Sequence, residues 1–264
     1  MSDLTKRFES ALTIAEAGAQ TALHHFSHRD SLSIETKGEH DWVSNADREV
    51  ELQIRKAITK QFPDDTIIGE EHDNVQGSSP FTWVIDPIDG TTSFLNAIPG
   101  WCVVIACVAD NKTVFGVIVD PVGNETYSAC DGVPVMLNNK AIHVSKAESI
   151  REGFVAVGHS GRFDPAMTAQ FLTSFLEQGG VFYRIGSGAL MLAYVACGRV
   201  LGYVEPHMNA WDCLAALYLI ERAGGTVQPF DMQSMLDKGG RVVTAAPKVY
   251  PALVQLSDAS FVEA

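Results

Sequence analysis

Apolar residues recur at helical spacing over residues 4–27, where Leu4, Phe8, Leu12, Ala15, Ala19, Ala22, Leu23 and Phe26 share a face uninterrupted by proline. That spacing predicts a long amphipathic helix. A second helix is predicted over 46–62, with Val50, Ile54, Ala57, Ile58 and Phe62 inward and Ser44 or Asn45 as its cap. The period then changes. Thr66-Ile67-Ile68-Gly69 and Trp83-Val84-Ile85 are short, mostly β-branched runs that read as strands. Apolar runs over 101–108, 113–119 and 125–129, separated by turns at Asp110-Asn111-Lys112 and from Asp120 to Asn124, predict an antiparallel meander. Further turns at Asp131-Gly132 and Asn138-Asn139 lead to Ile142-His143-Val144.

Beyond about residue 150 strands and helices alternate. A strand is predicted at 154–157 and a helix at 164–179, with Met167, Phe171, Phe175 and Leu176 inward and Gly179-Gly180 at its end. A strand at 181–185, the turn Gly186-Ser187-Gly188 and a helix at 189–197 follow. A strand at 200–205 then leads to a helix at 213–223, with Asp212 as its N-cap and Gly224-Gly225 behind it. Two short strands with intervening turns are expected to finish the chain. Lys37-Gly38 reads as a mobile turn, and no internal repeat is present.

Composition narrows the function. With 264 residues, 46% of them hydrophobic, the chain can form one large domain or two small ones sharing a core. No apolar run approaches the roughly 20 residues of a membrane helix. The N-terminal residues run into the first amphipathic segment without a signal peptide's apolar stretch, so a cytoplasmic protein is expected. A net charge of −13 argues against nucleic acid and anionic membranes as partners. A phosphorylated substrate meets the same repulsion unless bound cations reverse the local field. Cys102, Cys107, Cys130, Cys197 and Cys213 are odd in number and lack Cys-x-x-Cys spacing, which suggests buried free thiols. His24, His25 and His28 close the first helix and read as solvated partners of its dipole rather than metal ligands.

The richest chemistry lies in residues 81–94. Pro87 keeps Asp86 extended at a strand end, stops the ladder and leaves the Ile88 carbonyl available. Asp89-Gly90 turns the chain, and Thr91-Thr92-Ser93 offers N-cap chemistry to a following helical turn. Two carboxylates and a carbonyl beside free amides make a socket for hard divalent cations and phosphate. A tight turn whose aspartates merely cap amides is the competing explanation. Other acids recur in matching places. Glu70 and Glu71 follow a strand and point to opposite sides, so only one can face Asp86. Asp47 falls in the first turn of a helix, where the dipole favours a carboxylate anyway, and Glu205 ends a strand. Gly186-Ser187-Gly188 either presents amides to an anion or polyol or simply makes a tight turn.

Glu70-Glu71, Asp86-Pro87-Ile88-Asp89-Gly90-Thr91-Thr92 and Trp211-Asp212 with Gly224-Gly225 behind it, taken in order, resemble the inositol monophosphatase family. These are magnesium-dependent, lithium-sensitive phosphomonoesterases, and the resemblance covers nearly the whole chain. It implies a mixed α/β (α+β) fold, an alternating α-β-α-β-α layered sandwich of two subdomains, 1–145 and 146–264. Two or three Mg²⁺ are implied, one held by Glu70, Asp86 and the Ile88 carbonyl, another by Asp86, Asp89 and Asp212. Glu70 also counts, with Thr91 and Asp47, among the catalytic residues, the last two orienting the attacking water. Amides at Gly90, Thr91 and Thr92 would receive the phosphate, and Gly186, Ser187, Gly188 and Glu205 the alcohol. The implied reaction is hydrolysis of a small polyol phosphate, inositol monophosphate above others, by direct attack of water in a cytoplasmic homodimer. Pro206-His207-Met208-Asn209 departs from the loop of the inositol branch. Histidinol phosphate is the alternative substrate, with Glu205 facing its ammonium. A 3′-phosphonucleotide, fructose bisphosphate and a catalytically idle scaffold rank below.

Overall fold

The computed structural model describes residues 2–38 and 41–261. Ser2 caps α1 (Asp3–Ser27) by accepting from the Thr5 N–H, and the helix buries Phe8, Ala11, Ile14, Ala15, Ala19 and Ala22. A hairpin of β1 (Ile34–Gly38) and β2 (Asp41–Ser44) follows. Lys37-Gly38 therefore belongs to a strand instead of a turn, and the connection at 39–40 lies outside the described residues. Ser44 caps α2 (Asn45–Gln61), as expected.

A seven-stranded sheet comes next. Its strands are β3 (Thr66–Gly69), β4 (Thr82–Asp89), β5 (Cys102–Ala109), β6 (Lys112–Asp120), β7 (Glu125–Cys130), β8 (Val133–Leu137) and β9 (Lys140–Ala141), in sequence order. Only the pair β3–β4 is parallel; the rest is the expected meander. A short helix, α3 (Thr91–Leu95), lies between β4 and β5. Ile142-His143-Val144 lies outside the strands. Those residues make single backbone bonds, Ile142 to Val135 and Val144 to Ala223, while the pairing runs through β8.

The second half contributes β10 (Phe154–Val157), α4 (Pro165–Glu177), β11 (Val181–Tyr183), α5 (Gly188–Ala196), β12 (Gly202–Met208) and α6 (Ala210–Arg222). It ends with β13 (Thr226–Val227), α7 (Met232–Lys238), β14 (Gly240–Ala245) and α8 (Tyr250–Ser260). Two helices thus accompany the two closing strands. Asp231 caps α7, and a proline in the first turn starts α8, which buries Leu253 and Leu256. Both helices are short, and their apolar residues alone did not set a period. The five strands lie in the order β11-β10-β12-β14-β13, with β10 parallel to both neighbours and β14 antiparallel to its own.

Five layers result. Helices α1 and α2 cover one face of the seven-stranded sheet, and α5 and α6 cover the other. The same α5 and α6 pack on the five-stranded sheet, whose outer face carries α4 and α8. Covered on two sides, α6 buries Cys213, Leu214, Ala215, Ala216, Leu217, Leu219 and Ile220, and so shows no polar face over that stretch. This is the α-β-α-β-α sandwich of a mixed α/β protein.

Candidate active site

The site begins with an irregularity in β4. Its ladder with β5 runs to Asp86 opposite Val104, then shifts and resumes at Asp89 opposite Cys102. Pro87, without an N–H, interrupts the ladder but does not end it. Three steps along β4 match two along β5, which is a bulge of one extra residue. In a regular strand, residues three apart point to opposite faces. The bulge brings Asp86 and Asp89 to the same side, where one carboxylate oxygen of each and one of Asp212 lie within 4.8 Å of one another. Asp86 Oδ1 also accepts the Ile88 N–H at 2.9 Å.

Gly90, at φ +98°, turns the chain into α3 and serves as its N-cap. A side chain is excluded there twice over, by the backbone angle and because a Cβ would sit 2.8 Å from the Gly100 carbonyl oxygen. Thr91, Thr92 and Ser93 consequently do not cap the helix. The Thr91 hydroxyl is shared between Asp47 Oδ1 at 3.2 Å and the Ile88 carbonyl at 3.1 Å. The carbonyl expected to be free thus has a partner within its own turn. Ser93 Oγ donates to the Ile185 carbonyl at 2.9 Å, and Thr92 is exposed.

Asp47 is fully buried in the first turn of α2. Its Oδ2 accepts the Ser44 N–H at 2.9 Å and the Ser44 hydroxyl at 2.6 Å, which leaves Oδ1 for Thr91. Burial raises its pKa, and the Ser44 bonds oppose that rise.

Asp212 stands at the third position of α6, with Asn209 as the cap instead. Strand β12 continues to Met208, so the helix opens three residues earlier than its apolar pattern indicates. Asp212 Oδ2 accepts the Asn209 N–H at 3.1 Å and Nδ2 at 3.2 Å, and Arg162 Nη2 donates to Asn209 Oδ1 at 3.1 Å. Asp89 Oδ2 accepts the Ala189 N–H at 2.7 Å and the Ser187 hydroxyl. The first turns of α5 and α6 therefore both meet the carboxylate cluster with their positive ends. Glu70, just beyond β3, is half-buried and within hydrogen-bonding reach of Asp86.

Burial pushes the Asp86 pKa up, and the carboxylates of Glu70, Asp89 and Asp212 push it further. Asp89 is raised to about 6 by burial, against its hydrogen bonds from Ser187 and the α5 amides. Burial and Asp89 carry Asp212 to about 8. A cluster of hard oxygen donors whose ionised forms are held back by burial and like charge fits divalent cations, which would reverse those shifts.

Beside the cluster lies a cavity of about 160 Å³ lined by Asp89, Asp212, Gly186, Gly188, Arg184, His159 and Glu205, with Tyr203 behind. The Tyr203 hydroxyl donates to Glu205. Burial lifts the Glu205 pKa to about 7, with Tyr203 and the Arg184 charge opposing. Ser187 is fully buried, and its hydroxyl is engaged by Asp89 and by the Leu190 N–H at 3.1 Å, so Gly186 and Gly188 line the cavity without it. A larger hollow of about 890 Å³, between the β5–β6 turn and the end of α6, contains none of the candidate site residues named from the sequence.

Comparison with known proteins fits this geometry. The model of the inositol monophosphatase family matches residues 3–260. The chain belongs to the inositol monophosphatase family. Among relatives of this family member, the Nus factor SuhB of Haemophilus influenzae is 35% identical over 242 residues, covering 90% of this chain and 91% of that one. The Xylella fastidiosa Nus factor SuhB is 35% identical over 250 residues, covering 92% and 90%. The solved extragenic suppressor protein suhB from Bartonella henselae superposes with a TM-score of 0.89 at 27% identity, over 94% of this chain and 97% of that one. The Thermotoga maritima IMPase superposes with a TM-score of 0.85, also at 27% identity, over 97% and 98%. Family membership supports phosphatase activity with magnesium for this chain.

Several residues around this family member's site were not singled out in its sequence. Tyr203, Arg184, His159 and Arg162 reach it from β12, the end of β11 and the loop before α4. Arg184 alone carried a signal, as a charged residue just before Gly186-Ser187-Gly188. The others depend on which loops the five-stranded sheet brings together.

Proposed function

We propose that the protein is a Mg²⁺-dependent phosphomonoesterase that hydrolyses a small polyol phosphate, inositol monophosphate above others, by direct attack of water. One observation carries the reading: one carboxylate oxygen each of the buried Asp86 and Asp89 and of the half-buried Asp212 lie within 4.8 Å of one another. Glu70, Asp86 and the Ile88 carbonyl are assigned to one ion, and Asp86, Asp89 and Asp212 to another, with a third sharing Glu70. Bound Mg²⁺ supplies charge neutralisation, an acidified water and stabilisation of the leaving alkoxide. Thr91 donates its proton to Asp47, which leaves its oxygen lone pairs to accept from water and orient it. The Gly90, Thr91 and Thr92 amides are assigned to the phosphate.

The alcohol is assigned to the cavity beside Gly186, Gly188 and Glu205, with Ser187 holding Asp89 at its rim. A polar lining over about 160 Å³ suits a hydroxyl-rich ring. Residues 1–145 would form the unit carrying the cation and phosphate motif, and 146–264 the unit carrying Asp212 and the alcohol contacts. A cytoplasmic homodimer belongs to the same proposal. Among the described residues no helix is long and apolar enough to cross a membrane, and Val181 and Phe182 expose apolar surface on the edge strand β11.

The test is phosphate release from inositol monophosphates, histidinol phosphate, adenosine phosphates, β-glycerophosphate and fructose bisphosphate, with and without Mg²⁺. Asp86→Asn is expected to abolish Mg²⁺-dependent turnover and calorimetric Mg²⁺ uptake while the protein stays folded. Glu205→Gln is expected to weaken inositol monophosphate hydrolysis roughly ten- to a hundred-fold and to change β-glycerophosphate hydrolysis little. Preference for histidinol phosphate would replace the substrate and keep the metal chemistry. Li⁺ is expected to inhibit at high Mg²⁺. The name Nus factor, carried by the relatives, favours a second reading in which the chain acts through a bound partner. Absence of Mg²⁺-dependent phosphate release from every substrate in the screen would favour it.

A further inference from the structure

Glu51 and Arg55 lie one turn apart on α2, and the sequence alone makes them an ordinary exposed i,i+4 pair. They are instead buried, Glu51 completely. Arg55 Nε donates to Glu51 Oε1 at 2.6 Å, and nearly every remaining polar contact of the pair goes to the segment after Glu70. Glu51 Oε2 accepts the Glu71 N–H at 2.8 Å, and His72 Nδ1 lies 3.3 Å from Oε1. Arg55 Nη2 donates to the His72 carbonyl at 2.9 Å and Nη1 to the Asp73 carbonyl at 3.0 Å. The segment is closed behind by reciprocal backbone bonds between Ile67 and Val75, both 2.9 Å. Gly69 completes the fit, because a Cβ there would lie 2.4 Å from Glu51 Oε1 and 2.8 Å from Arg55 Nη2.

We infer that the buried Glu51–Arg55 pair is a positioning device for Glu70, fixing the backbone that holds it against Asp86. The inference rests on the metal reading proposed above. Burying two charges costs several kcal/mol per ion, and an apolar pair of similar volume often serves stability as well or better. Packing alone therefore gives little reason for a buried carboxylate and guanidinium here, whereas fixing three consecutive residues of one loop needs both a strong acceptor and several donors. Four residues before Glu51, on the same side of α2, Asp47 holds Thr91. One rigid helix thereby sets the Thr91 hydroxyl and the Glu70 loop relative to each other.

The experiment compares wild-type protein with Glu51→Gln, Gly69→Ala and the double variant Glu51→Gln/Arg55→Gln, since removing one partner alone leaves a buried charge uncompensated. Arg7→Met is the control. It breaks a different ion pair, Arg7 Nε to Asp65 Oδ2 at 2.7 Å, which holds α1 to the turn before β3. Mg²⁺ affinity is read by calorimetry, its half-saturation by phosphate release, and opening of the 70–73 segment by hydrogen exchange. The expected result is a Mg²⁺ dissociation constant raised roughly tenfold in the Glu51 and Gly69 variants, as for other residues that orient metal ligands. Exchange at the Glu71 amide should accelerate in the same variants. Arg7→Met should lower Tm with its Mg²⁺ affinity within twofold of wild type. Variants that lose Tm and keep wild-type Mg²⁺ affinity would overturn the inference. If no variant folds except Gly69→Ala, that variant decides by the same criterion. Wild-type protein that takes up no Mg²⁺ overturns the metal reading itself, and the inference with it.

Discussion

Asp47 divides its carboxylate between two tasks, one oxygen satisfying the start of its own helix and the other fixing the Thr91 hydroxyl. Under the proposed mechanism that division is testable at single residues. Thr91→Ala is expected to reduce turnover roughly 10²–10⁴-fold, the usual contribution of a positioned proton-handling group, while Thr91→Ser keeps most of it. Asp47→Asn should fall with Thr91→Ala. Equal losses in the serine and alanine variants would make the threonine a packing residue. Asp86 and Asp89 could be read from their own spacing and neighbours as a socket for cations, whereas the choice of Glu70 over Glu71 and the grouping of Asp212 with them came from the family resemblance. Asp47 was legible only as a dipole partner, and its pairing with Thr91 came from the family resemblance. Glu51 and Arg162 were not legible at all. A glutamate and an arginine in polar stretches look solvated until the fold shows what is packed against them.

At the level of elements, period and turn chemistry located most helices and strands but not the irregularities that make the site. The bulge at Pro87 could be suspected from the missing N–H; which residue of β5 faces which aspartate could not. Asp212 illustrates the same limit, since the apolar pattern begins at Cys213 while the helix begins at Ala210. The close approach of α6 to the sheet is another such feature. It occurs at Gly116 of β6, where a Cβ would lie 2.7 Å from the Ala215 carbonyl oxygen and 2.9 Å from its Cα. Neither neighbour is a flexible side chain, so Gly116→Ala must move the helix that presents Asp212. Overpacking of this kind costs about 1–3 kcal/mol, and at this chain length each kcal/mol lowers Tm by roughly 2–4 °C. We expect Gly116→Ala to lower Tm by that amount and to raise the Mg²⁺ concentration for half-maximal activity. An unchanged Mg²⁺ requirement beside a lowered Tm would show that Asp212 tolerates displacement of its helix.

The whole molecule sets a linkage between pH and cation that no single residue contains. Its central layer, α5 and α6, is enclosed by two sheets and meets the carboxylate cluster with both N-terminal turns. Burial there holds Asp86, Asp89, Asp212 and Glu205 above their ordinary pKa values, Asp212 as far as about 8. A group whose folded pKa is raised binds more protons folded than unfolded, so its contribution is complete below the unfolded value and is lost as pH rises through the folded one. For Asp212 the window runs from the ordinary aspartate value of 3.8 up to about 8. Despite its burial, Asp65 is held below its ordinary value by hydrogen bonds from Arg7, Ser79 and Trp83, and it contributes with the opposite sign at acid pH. The informative quantity is therefore the difference made by Mg²⁺, because Asp65 affects both curves equally. Under the proposed metal assignment cations bind the ionised cluster, so stabilisation by a fixed Mg²⁺ concentration should be small near pH 5 and grow steadily to pH 8. Thermal unfolding with and without Mg²⁺ across that range measures it. In Asp86→Asn the gain should disappear at every pH. A gain of constant size from pH 5 to pH 8 would mean that Mg²⁺ binds elsewhere than this buried cluster.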